Sequence, residues 1–296
     1  MLDFRIETFL NACKTLNFTK TAEELCITQP AVSQHIKFIE NYYNVKLFYN
    51  KGKKTFLTKE GSFLQNALTT MSLDLEHLRT ELKKHDERNR LLKFGVTLTV
   101  GEYIIPGPLA KFLKNNKDKQ LKMKVSNTFN LLEDLNKGAI DFAIVEGYFP
   151  QNEYDYLIFS HEKYIGACAT DSKYAHGNFT IDELFETTVI TREPGSGTRE
   201  ILQRSLEDRN FTINDFADVM EISNLNAIKK LVKADLGITF MYQAALEEAI
   251  EKKELCKIEI SDFDISHNIT FIWRKNSLFA EEYHNIFNQL KSFARL

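Results

Sequence analysis

The sequence predicts an α+β protein of several domains: a small helical module closed by a β-hairpin, one long helix, and a larger α/β body. Three observations carry this. Apolar residues recur at helical spacing from Phe4 to Ile39 and then give way to a short run around a Gly/Lys turn. Leucines follow steps of four and three between Leu64 and Leu82. From Leu91 onward, short β-branched or aromatic runs alternate with amphipathic stretches, the pattern of parallel sheets with helices on both faces. With 296 residues, the chain can bury two or three cores.

The first helix lies in LDFRIETFLNACKTLN, where Phe4, Phe9, Leu10, Cys13 and Leu16 form an apolar stripe. Two further helices with a tight break are expected between Phe18 and Glu40. Ala22 and Leu25 give the first its apolar face; Thr28 can cap the second, with Gln29 and Pro30 in its opening turn. Val32, Ile36 and Ile39 then point to the core. Gln29, Ser33, Gln34 and Lys37 occupy the opposite face, as the side-chain types that read base edges and bind phosphates. This is the physical description of a helix-turn-helix; an ordinary amphipathic helix pair is the bland alternative. Leu47–Phe48 and Phe56–Leu57 flank the Gly/Lys turn as a short hairpin, with Lys51, Lys53 and Lys54 at its tip near where phosphates would pass.

These residues, A-x-x-L-x-x-x-Q-P-A-V-S-x-x-I-x-x-x-E followed by L-F and L-T-x-x-G, resemble the winged helix-turn-helix of LysR-type transcriptional regulators. Asn50 departs from the arginine many such proteins carry after L-F-x, and the nearby lysines can supply that contact. The resemblance implies duplex DNA as a partner, with Thr28, Gln29, Pro30, Ser33, Gln34, Lys37, Lys51, Lys53 and Lys54 at the interface. It also implies self-association as a dimer or tetramer, and RNA polymerase as a further partner.

Residues 59 to about 88 read as one helix. Leu64, Leu68, Met71, Leu75, Leu78 and Leu82 form a seam that suits side-by-side packing of two helices; packing on the helix's own domain is the alternative. KKHDERNR then reads as a hydrophilic linker. In the body, expected strands are LLKFGVTLT, LKMKVSN, DFAIVEG, TVITRE, VMEIS, GITFMY and HNITFIW, and two sheets fit the length better than one. The resemblance implies two subdomains of periplasmic-binding-protein type, the chain crossing near Lys163 and returning near Ser266. The organisation expected is 1–58 for the DNA-binding module, 59–90 for the linker helix and hinge, and 91–296 for an effector-binding domain. Within the last, subdomain I covers 91–163 and 267–296, and subdomain II covers 164–266.

Ligands of open α/β sheets sit at strand carboxyl ends beside helix N-termini. Three segments have that form: Thr97 and Thr99 after one strand, Asn127 and Thr128 before one helix, and ITREPGSGTRE. In the last, small residues and the hydroxyls of Ser196 and Thr198 open a helix around Gly197, and Arg192 or Arg199 adds charge. Such a start suits a small anion or carboxylate, although a plain strand–helix turn has the same sequence. No G-K-[ST] follows, so nucleotide hydrolysis is not implied. R-E-P-G-S-G-T-R-E with T-x-T-x-G-E-Y upstream also resembles the branch of the family that controls sulfur and cysteine metabolism. By that resemblance Thr97, Thr99, Thr128, Ser196, Gly197 and Thr198 surround an effector pocket.

Other classes find less support. The seven histidines form no H-x-x-x-H or nucleophile–base pattern, so no catalytic residue, metal or cofactor is expected. Cys13, Cys26, Cys168 and Cys256 are scattered, without a C-x-x-C pair. No apolar run approaches a membrane span and MLDFRIETF is not a signal peptide, so no membrane partner and a cytoplasmic location are expected. Residues 1–60 carry nine Lys/Arg and six Asp/Glu; since the whole chain stands at −3, the remainder carries −6. A basic module on an acidic body suits a protein that touches nucleic acid with one end. The expected function is a DNA-binding transcription regulator that senses a small, anionic metabolite. A solute-binding protein or enzyme on the same architecture, or a regulator without effector, are the alternatives.

Overall fold

The structure, a computed structural model, describes residues 3–52, 54–83 and 91–294. Lys53 and residues 84–90 of the expected linker lie outside the described residues. The chain divides into two units, one of residues 1–87 with 275–279 and one of residues 88–274 with 280–296.

The first unit opens with α1 (Phe4–Thr15), α2 (Phe18–Glu24) and α3 (Gln29–Tyr43). Each starts on a polar cap: Asp3 accepts from Arg5 N, Asn17 from Thr19 N and Lys20 N, and Thr28 from Ala31 N. Phe9, Ala12, Ala22, Val32, Ile36, Ile39 and Leu47 form one buried cluster, so the helical spacing of the apolar residues is what folds the three helices together. A two-stranded ladder follows, β1 (Phe48–Lys51) and β2 (Lys54–Leu57), in the register Phe48↔Leu57. Gly52 lies between the two strands at φ +63°. Glu40 at the end of α3 is buried and accepts from Leu47 N at 2.9 Å and Lys46 Nζ at 2.7 Å, which ties the helix to the hairpin.

The long helix α4 spans Lys59–Lys83. Thr58 Oγ1 accepts from Gly61 N (2.9 Å) and donates to Lys46 O (2.6 Å). A Cβ on Gly61 would stand 2.1 Å from Leu47 O, which is why glycine occupies that turn of the L-T-x-x-G motif. The leucine seam divides. Leu68 is buried in the cluster of α1–α3 and Leu64 packs against it, so these two serve the core of their own module instead of a free face. Met71, Leu75, Leu78 and Leu82 are exposed, at 54, 37, 42 and 74%. Between them Asp74 is buried, accepting from Ser277 Oγ (2.8 Å) and Leu278 N (2.7 Å) of the 275–279 segment.

In the second unit, β3 (Leu91–Val96) leads through a π-helical turn, Val100–Ile104, into α5 (Pro106–Asn115). β4 (Gln120–Val125), α6 (Thr128–Lys137) and β5 (Phe142–Val145) follow. β6 (Tyr154–Ala169) and β7 (Asn178–Phe179) precede β8 (Thr188–Thr191), α7 (Gly197–Glu207) and β9 (Asp218–Glu221). α8 (Leu225–Lys233), β10 (Thr239–Tyr242) and α9 (Gln243–Glu251) lead to β11 (Leu255–Ile260), β12 (Ile265–Arg274) and α10 (Ala280–Ala294).

The body holds two sheets, and the larger one continues across both halves. One sheet runs β4-β3-β5-β12-β6-β11-β7, with β10 on β6, while β8 and β9 form a second, two-stranded sheet. The cause is two long strands: every residue of β12 has an antiparallel partner in β6, including Ser266 opposite Lys163. Parallel β3, β4 and β5 build one half. β10 and β11 pair with Tyr164–Ala169 at the far end of β6 and build the other. The first half centres on stacked Phe94, Phe142 and Phe271. The second half buries Ile165, Ile228, Val232, Met241 and Leu246. The free cysteines Cys168 and Cys256 stand opposite each other in β6 and β11, and burial pushes the Cys168 thiol up to about 12.

Candidate nucleic-acid surface and effector site

In the N-terminal unit, Val32, Ile36 and Ile39 turn inward, so the residues between them must face out. Thr28, Gln29, Pro30, Gln34 and Lys37 are exposed, and Ser33 is half-buried, held by Gln29 Nε2 at 3.0 Å. Lys51 and Lys54 are exposed partners at the hairpin end. A groove of about 550 Å³ joins these parts: Asn17 and Thr19 at the start of α2, Ser33 and Lys37 on α3, and Lys46 and Tyr49 before and on β1. Asn17, Thr19, Lys46 and Tyr49 were not expected from sequence. Their signal is position, since each stands at an element end that folds back beside α3. Asn50 also lines the groove and accepts from Thr55 Oγ1 at 3.1 Å.

The second unit gathers Thr97, Thr99, Thr128, Arg192, Ser196 and Thr198, all nearly fully buried. They surround a residue that sequence reasoning missed, Glu146, which is 1% exposed and follows β5. Thr198 Oγ1 donates to Glu146 Oε1 and Thr128 Oγ1 to Glu146 O, both at 2.7 Å. The hydroxyls of Thr128 and Thr198 thus spend their protons on Glu146 and keep only acceptor capacity. At Gly197 a Cβ would lie 2.4 Å from Glu146 O, so its smallness serves the approach of α7 to Glu146 and Gly147. Asn127 caps α6 by accepting from Asn130 N, and its Nδ2 donates to Glu193 Oε1 at 3.4 Å. Gly195, at φ +85°, makes the turn before Ser196.

Burial raises the Glu146 carboxyl above the usual carboxylate range; the Thr198 and Thr99 hydroxyls and the Arg192 charge oppose that rise. Arg192 gives Nε and Nη2 to Glu193 at 2.8 and 2.9 Å. Partial burial works to raise Glu193, but those bonds hold its carboxyl below the usual range. Arg199 turns to Glu221 and to Arg192 O. The Thr99 hydroxyl serves the Glu146 carboxyl, while Thr97 Oγ1, Glu146 Oε2, Arg192 Nη1, Ser196 Oγ and Arg199 Nε are among the buried atoms that keep no hydrogen-bond partner among the described residues. Ser196 is the N-cap of α7, a position whose hydroxyl ordinarily accepts from the helix, yet it makes no such bond. Nearly all buried polar groups in proteins are paired, so a cluster of unpaired ones at strand ends is the arrangement of a polar binding site. No group of three or more His, Cys, Asp or Glu among the described residues could hold a metal.

Residues 85–293 match the LysR substrate binding domain, and residues 5–62 match the bacterial regulatory helix-turn-helix protein, lysR family. The HTH-type transcriptional regulator CysL of Bacillus subtilis is 27% identical over 269 residues, 90% of this chain and 89% of that protein. Full-length LysG from Corynebacterium glutamicum, solved with bound effector Arg, superposes with a TM-score of 0.65 at 14% identity, covering 100% of this chain and 98% of that one. The regulatory domain of CcmR from Synechocystis PCC6803, in complex with 2-PG, gives a TM-score of 0.61 at 22% identity over 69% of this chain and 97% of its own.

Proposed function

Because the chain belongs to the LysR family of transcriptional regulators, and so is a DNA-binding regulator with an effector-binding domain and not an enzyme, we propose that it couples DNA binding to a small metabolite carrying an anionic group. The effector sits between subdomain I (91–163, 267–296) and subdomain II (164–266). The observation that carries this reading is the set of unpartnered buried atoms Thr97 Oγ1, Ser196 Oγ and Arg192 Nη1, at strand ends and the start of α7. Asn127, Thr128, Gly197 and Thr198 shape the site through Glu146 and Glu193.

On the DNA side, Gln29, Ser33 and Gln34 read base edges from the polar face of α3, with Thr28 and Pro30 fixing its start. Lys37, Lys51 and Lys54 hold phosphates. Met71, Leu75, Leu78 and Leu82 form the contact between two copies, since four exposed apolar residues on one helix face need a partner to leave water. Among the described residues no helix is long and apolar enough to cross a membrane, and a cytoplasmic site of action fits a DNA-binding regulator. RNA polymerase is the further partner of this reading.

Gel shifts on DNA from upstream of the protein's own gene test the regulator, with calorimetry against sulfate, thiosulfate and small carboxylates as the test of the effector. Specific retardation altered by one of these ligands is the expected result. Retardation with no ligand binding would leave a regulator whose body serves assembly only. Ligand binding with no DNA binding would favour a solute-binding protein.

A further inference from the structure

An anion alone leaves one feature of the site without a partner. Its two deepest charged side chains have opposite signs, Arg192 at 2% and Glu146 at 1% exposure. Each is half-used: Arg192 spends Nε and Nη2 on Glu193 and keeps Nη1, and Glu146 takes Thr198 on Oε1 and keeps Oε2. The group Glu146, Arg192 and Glu193 carries one positive and two negative charges when ionised. A simple anion would be drawn to Arg192 but would face the bare oxygen of Glu146 across a medium with little screening. The unused atoms ask for one ligand that accepts at one end and donates at the other.

Resting on the effector reading above, we propose that the ligand is a zwitterion, a small α-amino acid or a side-chain derivative of one. Its carboxylate is held by Arg192 Nη1 and Ser196 Oγ, and its ammonium group donates to Glu146 Oε2. Thr97 offers a hydroxyl that both donates and accepts, and so fits either end or a short polar side chain, while Thr99 steadies the Glu146 carboxyl. The start of α7 contributes the positive end of its dipole to the carboxylate. Glu146 is then a specificity determinant: it rejects ligands that lack a donor where the ammonium belongs, because a buried acceptor would be left unpaired.

Matched pairs test this by calorimetry on the full chain near neutral pH: glycine against glycolate, serine against glycerate, and O-acetylserine, with sulfate and thiosulfate alongside. At least one amino acid is expected to bind, and its 2-hydroxy partner to bind at least about tenfold more weakly, the loss of one charge-assisted hydrogen bond. Glu146→Gln, with folding checked by circular dichroism and melting, is expected to cut amino-acid affinity by at least about tenfold while leaving or tightening that of the hydroxy acid. The wild-type matched pairs decide the matter even where the variant fails to fold. Hydroxy acids or sulfate binding as well as or better than every amino acid would overturn the zwitterion, make neutral Glu146 a donor to an oxyanion, and leave the anionic-effector reading standing. Binding of none of these probes would overturn both.

Discussion

The two units place their polar residues in opposite ways. On α3, Gln29, Gln34 and Lys37 stand in solvent, where an unpaired amide or ammonium costs nothing because water satisfies it. In the α/β body, Thr97, Ser196, Arg192 and Glu146 are withdrawn from solvent with atoms unpaired. Substitution on the first surface should therefore change binding and leave stability alone. In the second cluster a change touches folding as well, because Thr198 and Gly197 hold α7 against Glu146 and Thr128 holds α6 to it.

The largest expected effect probes assembly. Leu75→Glu puts a charge in the middle of the exposed apolar row on α4, and sedimentation should show dimers giving way to monomers, with loss of affinity for a two-half-site operator. An unchanged dimer would move the interface elsewhere on the molecule. Next, Gly197→Ala forces a methyl against the Glu146 backbone and should cost ~1–3 kcal/mol in denaturant unfolding. Gln34→Ala should stay within about 0.5 kcal/mol of wild type. Equal losses for the two would dissolve the contrast between the regions.

Gln29→Ala should weaken operator binding by ~1–3 kcal/mol, with random-sequence DNA bound as before. A loss shared by both DNAs would make Gln29 a backbone contact. Glu146→Gln sharpens the comparison through pH. The folded chain holds the Glu146 proton more tightly than the unfolded chain does, since burial raises that carboxyl. Stability from neutral Glu146 is thus full below the unfolded carboxyl value of about 4.3 and is lost as pH rises through the raised folded value. The glutamine variant cannot ionise, so its melting temperature should fall less than that of wild type over this rise, and parallel curves would count against a perturbed Glu146. The smallest effect belongs to Lys54→Ala, which should weaken operator and random DNA alike and lower the salt slope by about one.

What the sequence revealed follows the same division. Val32, Ile36 and Ile39 declare α3 by spacing alone, and Thr28-Gln29-Pro30 declares its start, because helix periodicity and capping are local. β6 was not anticipated: its centre, Ser160-His161-Glu162-Lys163, carries no apolar alternation and becomes a strand because β12 pairs along it. β11 was not among the expected strands either, and its strand character comes from pairing with β6. Leu64 and Leu68 keep the rhythm of the exposed leucines after them, and only the packing of α4 on α1 separates the two sets. Glu146 was missed because nothing in the periodicity of a strand end announces a buried carboxylate. The available signal was Glu-Gly directly after the apolar run FAIV, at the edge where α/β sheets take ligands.

The long pairing of β6 with β12 has a mechanical meaning. The two halves of the body are joined by a ribbon in which all ten residues of β12 are matched to β6, interrupted by one shift in register at Ile269/Thr270. Sliding one strand past the other would break its hydrogen bonds and turn inward-facing side chains outward, so shear along the ribbon is costly. Twist is a softer coordinate, since β-ribbons already tolerate a wide range of it and irregularities concentrate it. Any rearrangement between the halves is accordingly torsional, with Ile269–Thr270 as its most compliant point. The ribbon therefore resists sliding between the halves more than it resists twisting.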